Sequence, residues 1–159
     1  MSLFKKILIG KGGHSKEVSI SLYSIGIMDI PRYTEDEFIK KYQNSYHDIE
    51  VMVAVGDSKL RQEIVERLPE DLRYFKFIHP TAIVMDKSII IREGSFIGPY
   101  SVLTTKIDIG SHALLLRSNS IGHDCQIGNF LSMMPNSVIS GNNIIGCLLY
   151  TSPSPRDSV

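Results

Sequence analysis

Tryptophan is absent from the 159 residues, and only two cysteines occur, Cys125 and Cys147. Two thiols cannot build a disulfide framework or a four-thiolate zinc site by themselves. Net charge is missing as well, because 17 Lys and Arg face 17 Asp and Glu. A neutral chain has no global field to gather nucleic acid, and an aromatic content of 8% offers few base-stacking platforms. No apolar run reaches the roughly 18 residues that a membrane span requires. The first nine residues run too soon into Gly10 and Lys11 to read as a secretory signal. These absences argue for a soluble, cytoplasmic protein that binds neither nucleic acid nor membrane.

What is present divides into two unequal styles. Residues 1–80 carry 24 charged side chains, whereas residues 81–146 carry only 8 and are rich in Ile, Ser, Asn and Gly. The shift places a boundary near His79-Pro80, giving an N-terminal unit over 1–79 and a second over 80–146. The first unit reads as α/β. An apolar strand over 6–9 enters the turn Gly10-Lys11-Gly12-Gly13, and a helix over about 15–23 is expected, with Ser15 as its cap. Thr34-Glu35-Asp36-Glu37 has the acids of a helix first turn. Residues 50–55 form the best strand, residues 59–68 a helix, and residues 73–78 a last strand. Alternating strands and helices imply a small parallel sheet.

The second unit is periodic. Ile91, Ile97, Leu103, Ile109, Leu115, Ile121, Ile127, Met133, Ile139 and Ile145 recur every sixth residue. A helix of 3.6 residues per turn cannot keep such a repeat on one face, but stacked coils of short strands can. The aliphatic side chain should point into the column. Gly98, Gly110, Gly122, Gly128 and Gly146 follow five of these positions, and are expected to take backbone angles closed to other residues. Three faces per coil give 18-residue coils, roughly three of them over 89–146. After Gly146 the period stops. Residues 147–159, with two prolines, resemble the translation of a sequencing adapter joined to a natural chain cut near Gly146; a disordered tail is the alternative.

Three segments now carry a resemblance: Gly10-Lys11-Gly12-Gly13-His14, His79-Pro80-Thr81-Ala82, and Ile121-Gly122-His123-Asp124-Cys125-Gln126-Ile127-Gly128 within the hexads. Over residues 5–146 the sequence resembles the nucleotide-sugar and sialic-acid acetyltransferases. The resemblance implies a Rossmann-like N-terminal domain followed by a left-handed parallel β-helix. It also implies transfer of acetyl from acetyl-CoA to an amine or hydroxyl of a nucleotide-sugar or sialic-acid-type acceptor. The expected assembly is a homotrimer with active sites between adjacent β-helices. A scaffold or binding protein without catalysis is the competing reading.

Site residues follow from the same match. His123 lies off the inward phase and reads, on position alone, as an exposed corner histidine or a base of suitable pKa; the resemblance makes it the general base. Asp124 is either a solvated corner carboxylate or the partner that stabilises imidazolium. Gly141 is either a turn glycine or, as in the family, a backbone donor to the thioester oxygen. Ser132 occupies a slot where, by the same resemblance, some relatives carry a histidine that contacts acetyl-CoA. Gly12, Gly13 and His14 read as a strand-to-helix turn or, by resemblance, as the acceptor loop, which Gly56 joins from a second strand end. Asp57 and Arg61 read as the solvated start of a helix, and His79 as a structural residue of the junction. A zinc site of the γ-carbonic-anhydrase kind would need three histidines; the hexads hold only His112 and His123, in different phases.

Overall fold

The structure is a computed structural model that describes residues 4–43 and 45–151. It opens with β1 (Lys5–Ile9), α1 (Gly13–Tyr23), β2 (Arg32–Tyr33), α2 (Glu35–Tyr42), β3 (Ile49–Val53), α3 (Ser58–Arg67) and β4 (Arg73–Tyr74). The four strands form one parallel sheet in the order β2-β1-β3-β4, with Ile7 beside Val51 and Leu8 beside Arg32. Ile7, Leu8, Ile9, Val51, Met52 and Val53 are all fully buried, as expected for strands covered on both faces. Helix α2 starts where its acids indicated. Thr34 and Glu37 form a reciprocal capping box, the Glu37 carboxylate accepting from the Thr34 amide at 2.9 Å. The cap expected at Ser15 is not there. Helix α1 begins two residues earlier, capped only by the Gly12 backbone, and Ser15 is buried within it.

The strand expected over 73–78 is two strands. Arg73–Tyr74 closes the first sheet, while β5 (Phe77–Ile78) pairs with β8 (Phe96–Ile97). From β5 onward the chain is a parallel β-solenoid. Its further strands are β6 (Ile83–Val84), β7 (Ile90–Ile91), β9 (Val102–Leu103), β10 (Ile107–Ile109), β11 (Leu114–Leu115), β12 (Ser120–Ile121), β13 (Cys125–Ile127), β14 (Ser132–Met133), β15 (Val138–Ile139), β16 (Ile144–Ile145) and β17 (Tyr150–Thr151). They stack into three parallel sheets, β7-β10-β13-β16, β5-β8-β11-β14-β17 and β6-β9-β12-β15. Leu114 lies beside Ser132 and Ser120 beside Val138, a coil of 18 residues, whereas in the first coil Phe77 lies beside Phe96, 19 residues on. Strand pairing runs past Gly146, since Tyr150 sits beside Ser132. Residues 152–159 of the tail lie outside the described residues.

The hexad side chains fill the column. Ile97, Leu103, Ile109, Leu115, Ile121 and Met133 are fully buried, and Ile91, Ile127 and Ile139 nearly so. The glycines after them differ from expectation. The left-handed backbone falls three residues after each inward side chain, at Gly94, Tyr100, Lys106, His112, Ser118, Asp124, Phe130, Asn136, Asn142 and Leu148, with φ between 50° and 68°. Nine of those ten carry a Cβ. At four of the five, Gly98, Gly110, Gly122 and Gly128, glycine gives clearance instead: a Cβ at Gly122 would lie 2.5 Å from the Gly141 nitrogen one coil above, and one at Gly128 would lie 2.6 Å from the Cys147 nitrogen.

The sheet unit rests on one solenoid face. Leu8, Val18, Leu22, Met52, Ala54 and Phe75 pack against Phe96, Leu114, Leu116 and Met134. At one edge of this contact lies Arg61, 0% exposed, which contradicts its reading as a solvated helix residue. Its Nε donates to the His112 carbonyl at 2.9 Å, and one terminal nitrogen donates to the carbonyls of Val55 and Gly56. The other reaches the carbonyls of Phe130 (2.8 Å) and Leu131 (3.0 Å) and the Ser132 hydroxyl (2.9 Å). No carboxylate among the described residues touches it; carbonyl dipoles solvate the charge, and burial lowers its pKa to about 10. Removing this side chain orphans several buried acceptors, each costing about 1–3 kcal/mol. Arg61→Leu is therefore expected to lower unfolding free energy by about 3–5 kcal/mol, read as a shift of the urea midpoint; a change within experimental error would show that the acceptors find water.

Candidate functional site

Residues 122–124 turn the chain from β12 to β13, at an edge of the solenoid opposite the face that carries the sheet. His123 Nδ1 lies 2.8 Å from Asp124 Oδ2, and both side chains are about half exposed. The corner is held from both neighbouring coils. The Asp124 amide donates to the Thr105 carbonyl at 3.1 Å, and the Asn142 amide donates to the His123 carbonyl at 2.8 Å. Asp124 has φ of 55°, one of the left-handed corners, which a short polar side chain tolerates. Beneath the imidazole sits Gly141. A Cβ there would lie 2.6 Å from His123 Nε2, so any larger residue would push the ring from this position. The adjacent His123 and Asp124 thus meet Gly141 from the next coil in one place. Lys106 joins them, its Nζ 3.9 Å from Asp124 Oδ1. Sequence reading missed it, although the 18-residue coil puts residue 106 directly beside 124.

With Nδ1 held by the carboxylate, the tautomer carrying hydrogen on Nδ1 leaves Nε2 with a free lone pair. A base so arranged can take a proton from a nucleophile placed over the corner.

The loop residues gather elsewhere. Gly12, Gly13, His14 and Gly56 line a cavity of about 630 Å³ at the carboxyl ends of β1 and β3, together with Val55, Asp57 and Ser58. The His14 ring lies against Gly56, in space that a Cβ at residue 56 would occupy. Asp57 caps α3, its carboxylate accepting from the Leu60 amide at 2.8 Å. The structure does not bring these residues to His123: they adjoin the solenoid's packed face, and His123 is at the opposite edge. Ser132 is with neither as a free ligand contact. It is fully buried, accepts from Arg61 and from Ser58 (3.1 Å), and donates to the Gly56 carbonyl at 2.8 Å. That hydroxyl is committed to interior hydrogen bonds.

No protein-family model matches the chain. Among curated proteins, GDP-perosamine N-acetyltransferase of Escherichia coli O157:H7 is 28% identical over 109 residues, covering 68% of this chain and 45% of that protein. The chain therefore spans about half the length of this curated relative. Among solved structures, WeeI from Acinetobacter baumannii AYE superposes with a TM-score of 0.78 at 22% identity, over 92% of this chain and 77% of that one. The fold is similar to that of WeeI. PerB from Caulobacter crescentus, solved with CoA and GDP-perosamine, gives a TM-score of 0.52 at 20% identity, over 97% and 91% of the two chains.

His79 and His112 are structural. His79 is buried, its Nδ1 accepting from the Thr81 amide at 3.2 Å, and burial lowers its pKa. His112 is 5% exposed, stacked on Phe130 at 5.1 Å and met edge-on by Tyr74 at 4.6 Å. It occupies a different edge from His123, so the two do not converge on a metal, and no metal-sized cluster occurs among the described residues. Burial, and then the Arg61 charge, lower its pKa to about 4. Between that value and the ordinary one the unfolded chain binds a proton that the folded chain refuses. Stability should therefore fall as pH drops from 6.5 to 4, by about 3 kcal/mol for this group alone. Thermal melts across that window should show the loss, and His112→Phe should flatten it; an unchanged slope would assign acid sensitivity to other groups, His79 first.

Proposed function

We propose that this chain belongs to an acetyltransferase that moves acetyl from acetyl-CoA to an amine or hydroxyl of a nucleotide-linked sugar, with His123 as general base. The observation that carries this reading is the His123–Asp124 pair, half exposed over Gly141. The likeness to GDP-perosamine N-acetyltransferase supports it and names the first acceptor to try, GDP-perosamine. In this reading the first 79 residues form a Rossmann-like acceptor domain and residues 80–146 a left-handed β-helix.

The acceptor nitrogen or oxygen attacks the thioester carbonyl carbon while its proton passes to His123 Nε2. Asp124 holds the opposite nitrogen and stabilises the cation. The developing oxyanion takes a hydrogen bond from the Gly141 amide. When the carbon–sulfur bond breaks, the imidazolium returns the proton to the departing thiolate. Acceptor cavity and base stand on opposite sides of one chain, which supports a trimer in which a neighbour's cavity faces His123. A cytoplasmic location fits both substrates.

Purified protein should release CoA from acetyl-CoA in the presence of GDP-perosamine or other nucleotide-linked amino sugars. His123→Ala should lower kcat/KM by about 10²–10⁴-fold, with acceptor affinity kept. Gly141→Ala should cost a similar loss by displacing the ring, without weakening acceptor binding. Acceptor binding without any turnover in the unaltered chain would favour a non-catalytic protein, and equal turnover in His123→Ala would remove that residue as base.

A further inference from the structure

The carbonyl groups of Val55 and Gly56 are both engaged by buried donors at the solenoid contact. Arg61 donates to both, and Ser132 Oγ donates to Gly56 at 2.8 Å. A trans peptide sets each carbonyl antiparallel to the next residue's N–H. The Gly56 and Asp57 amides are therefore turned the other way, toward the cavity that these residues line. Neither amide has a hydrogen-bond acceptor among the described residues.

From this geometry we infer that Arg61 and Ser132 are positioning residues for the acceptor: by fixing two carbonyls on the buried side, they hold two amide donors ready for the phosphates of the nucleotide-sugar. The inference rests on the acceptor reading above. Its chemistry is specific. An anionic oxygen wants donors that need no reorganisation, and adjacent backbone amides held from behind meet that need. Ser132 fits the task because one hydroxyl serves three neighbours. Its single proton goes to Gly56, and its lone pairs accept from Arg61 and Ser58. Arg61 fits because its guanidinium reaches from the loop to carbonyls in two adjacent coils, those of His112 and of Phe130 and Leu131. The loop is thereby tied to the rigid part of the molecule. The cavity also holds Asp57, whose carboxylate would repel an anion, but it is turned to the Leu60 amide.

Ser132→Ala tests this more cleanly than a change at Arg61, which threatens the fold. Ser137→Ala is the control. Ser137 is equally buried in the solenoid, donates to the Met134 carbonyl at 2.8 Å, and does not touch the loop. GDP and UDP would be titrated calorimetrically into the unaltered chain and both variants, with urea midpoints measured alongside. The expected result is about tenfold weaker nucleotide binding in Ser132→Ala and no change in Ser137→Ala. With GDP-perosamine as acceptor, the acceptor KM should rise by the same factor, while kcat and the acetyl-CoA KM hold. Unchanged nucleotide binding in Ser132→Ala overturns the positioning role and leaves the acceptor reading intact. Equal weakening in both serine variants overturns it too, since general softening then explains the effect. If the unaltered chain binds neither nucleotide and turns over no nucleotide-sugar, the acceptor reading and the inference fall together.

Discussion

A single buried cation joins the two parts of this molecule. Arg61 leaves helix α3, enters the solenoid with no carboxylate among the described residues to meet it, and is satisfied by backbone carbonyls from the loop after β3 and from two stacked corners. Burying a charge in this way is tolerable only if every donor finds an acceptor. The surrounding structure is accordingly constrained. The loop at Val55 and Gly56 must present its carbonyls, the corners at 112 and 130 must stack, and residue 132 must bring a hydroxyl. The apolar contact between Leu8, Val18 and Leu22 on one side and Phe96 and Leu114 on the other supplies burial over a wider area. It has no direction of its own. The guanidinium fork supplies the alignment that apolar contact lacks.

Much of the solenoid was legible in the sequence because its rule is local. An inward aliphatic every sixth residue survives any detail of the corners, and the hexads from 91 to 139 are buried as that rule requires. The corners were misread for an equally physical reason. Glycine is the usual mark of a left-handed residue, yet here Tyr100, Lys106, His112 and Phe130 adopt that conformation under the stacking of neighbouring coils. The glycines mark close backbone approach instead, which a one-dimensional reading cannot separate from conformational need. Arg61 was illegible altogether. An arginine in the first turn of a polar helix reads as solvated, and only the solenoid, tens of residues downstream, buries it.

The same distinction runs through the candidate site. His123, Asp124 and Gly141 were found by resemblance, and the coil repeat explains why they meet, since 141 lies one coil beyond 123. Lys106 was one coil before Asp124 and could have been found by the same arithmetic. The loop residues Gly12, Gly13, His14 and Gly56 share a cavity because β1 and β3 are neighbours in a parallel sheet, whose connecting loops gather at one end. The burial of Ser132 against the loop after β3 could not be read from its motif position, which says nothing about which face a strand presents. The two candidate sites thus rest on two mechanical systems. One is a pair of side chains on a stacked corner, and the other a set of backbone amides braced from behind.

The 18-residue coil also acts as a three-position counter. Insertion or deletion of a whole coil before residue 105 would lengthen or shorten the column yet return His123 to the same edge. A single hexad, although it preserves every inward aliphatic and the core with it, would carry each later residue one face around. The histidine would then leave its edge, and the acceptors of Arg61 would pass out of its reach. The solenoid has already absorbed one odd residue, since Ile83 pairs with Val102 whereas Ile90 pairs with Asp108. That slip lies in the first coil, ahead of everything that has to keep count. Natural length variation in chains of this design should therefore come in steps of three hexads, with isolated extra residues kept before the first functional edge.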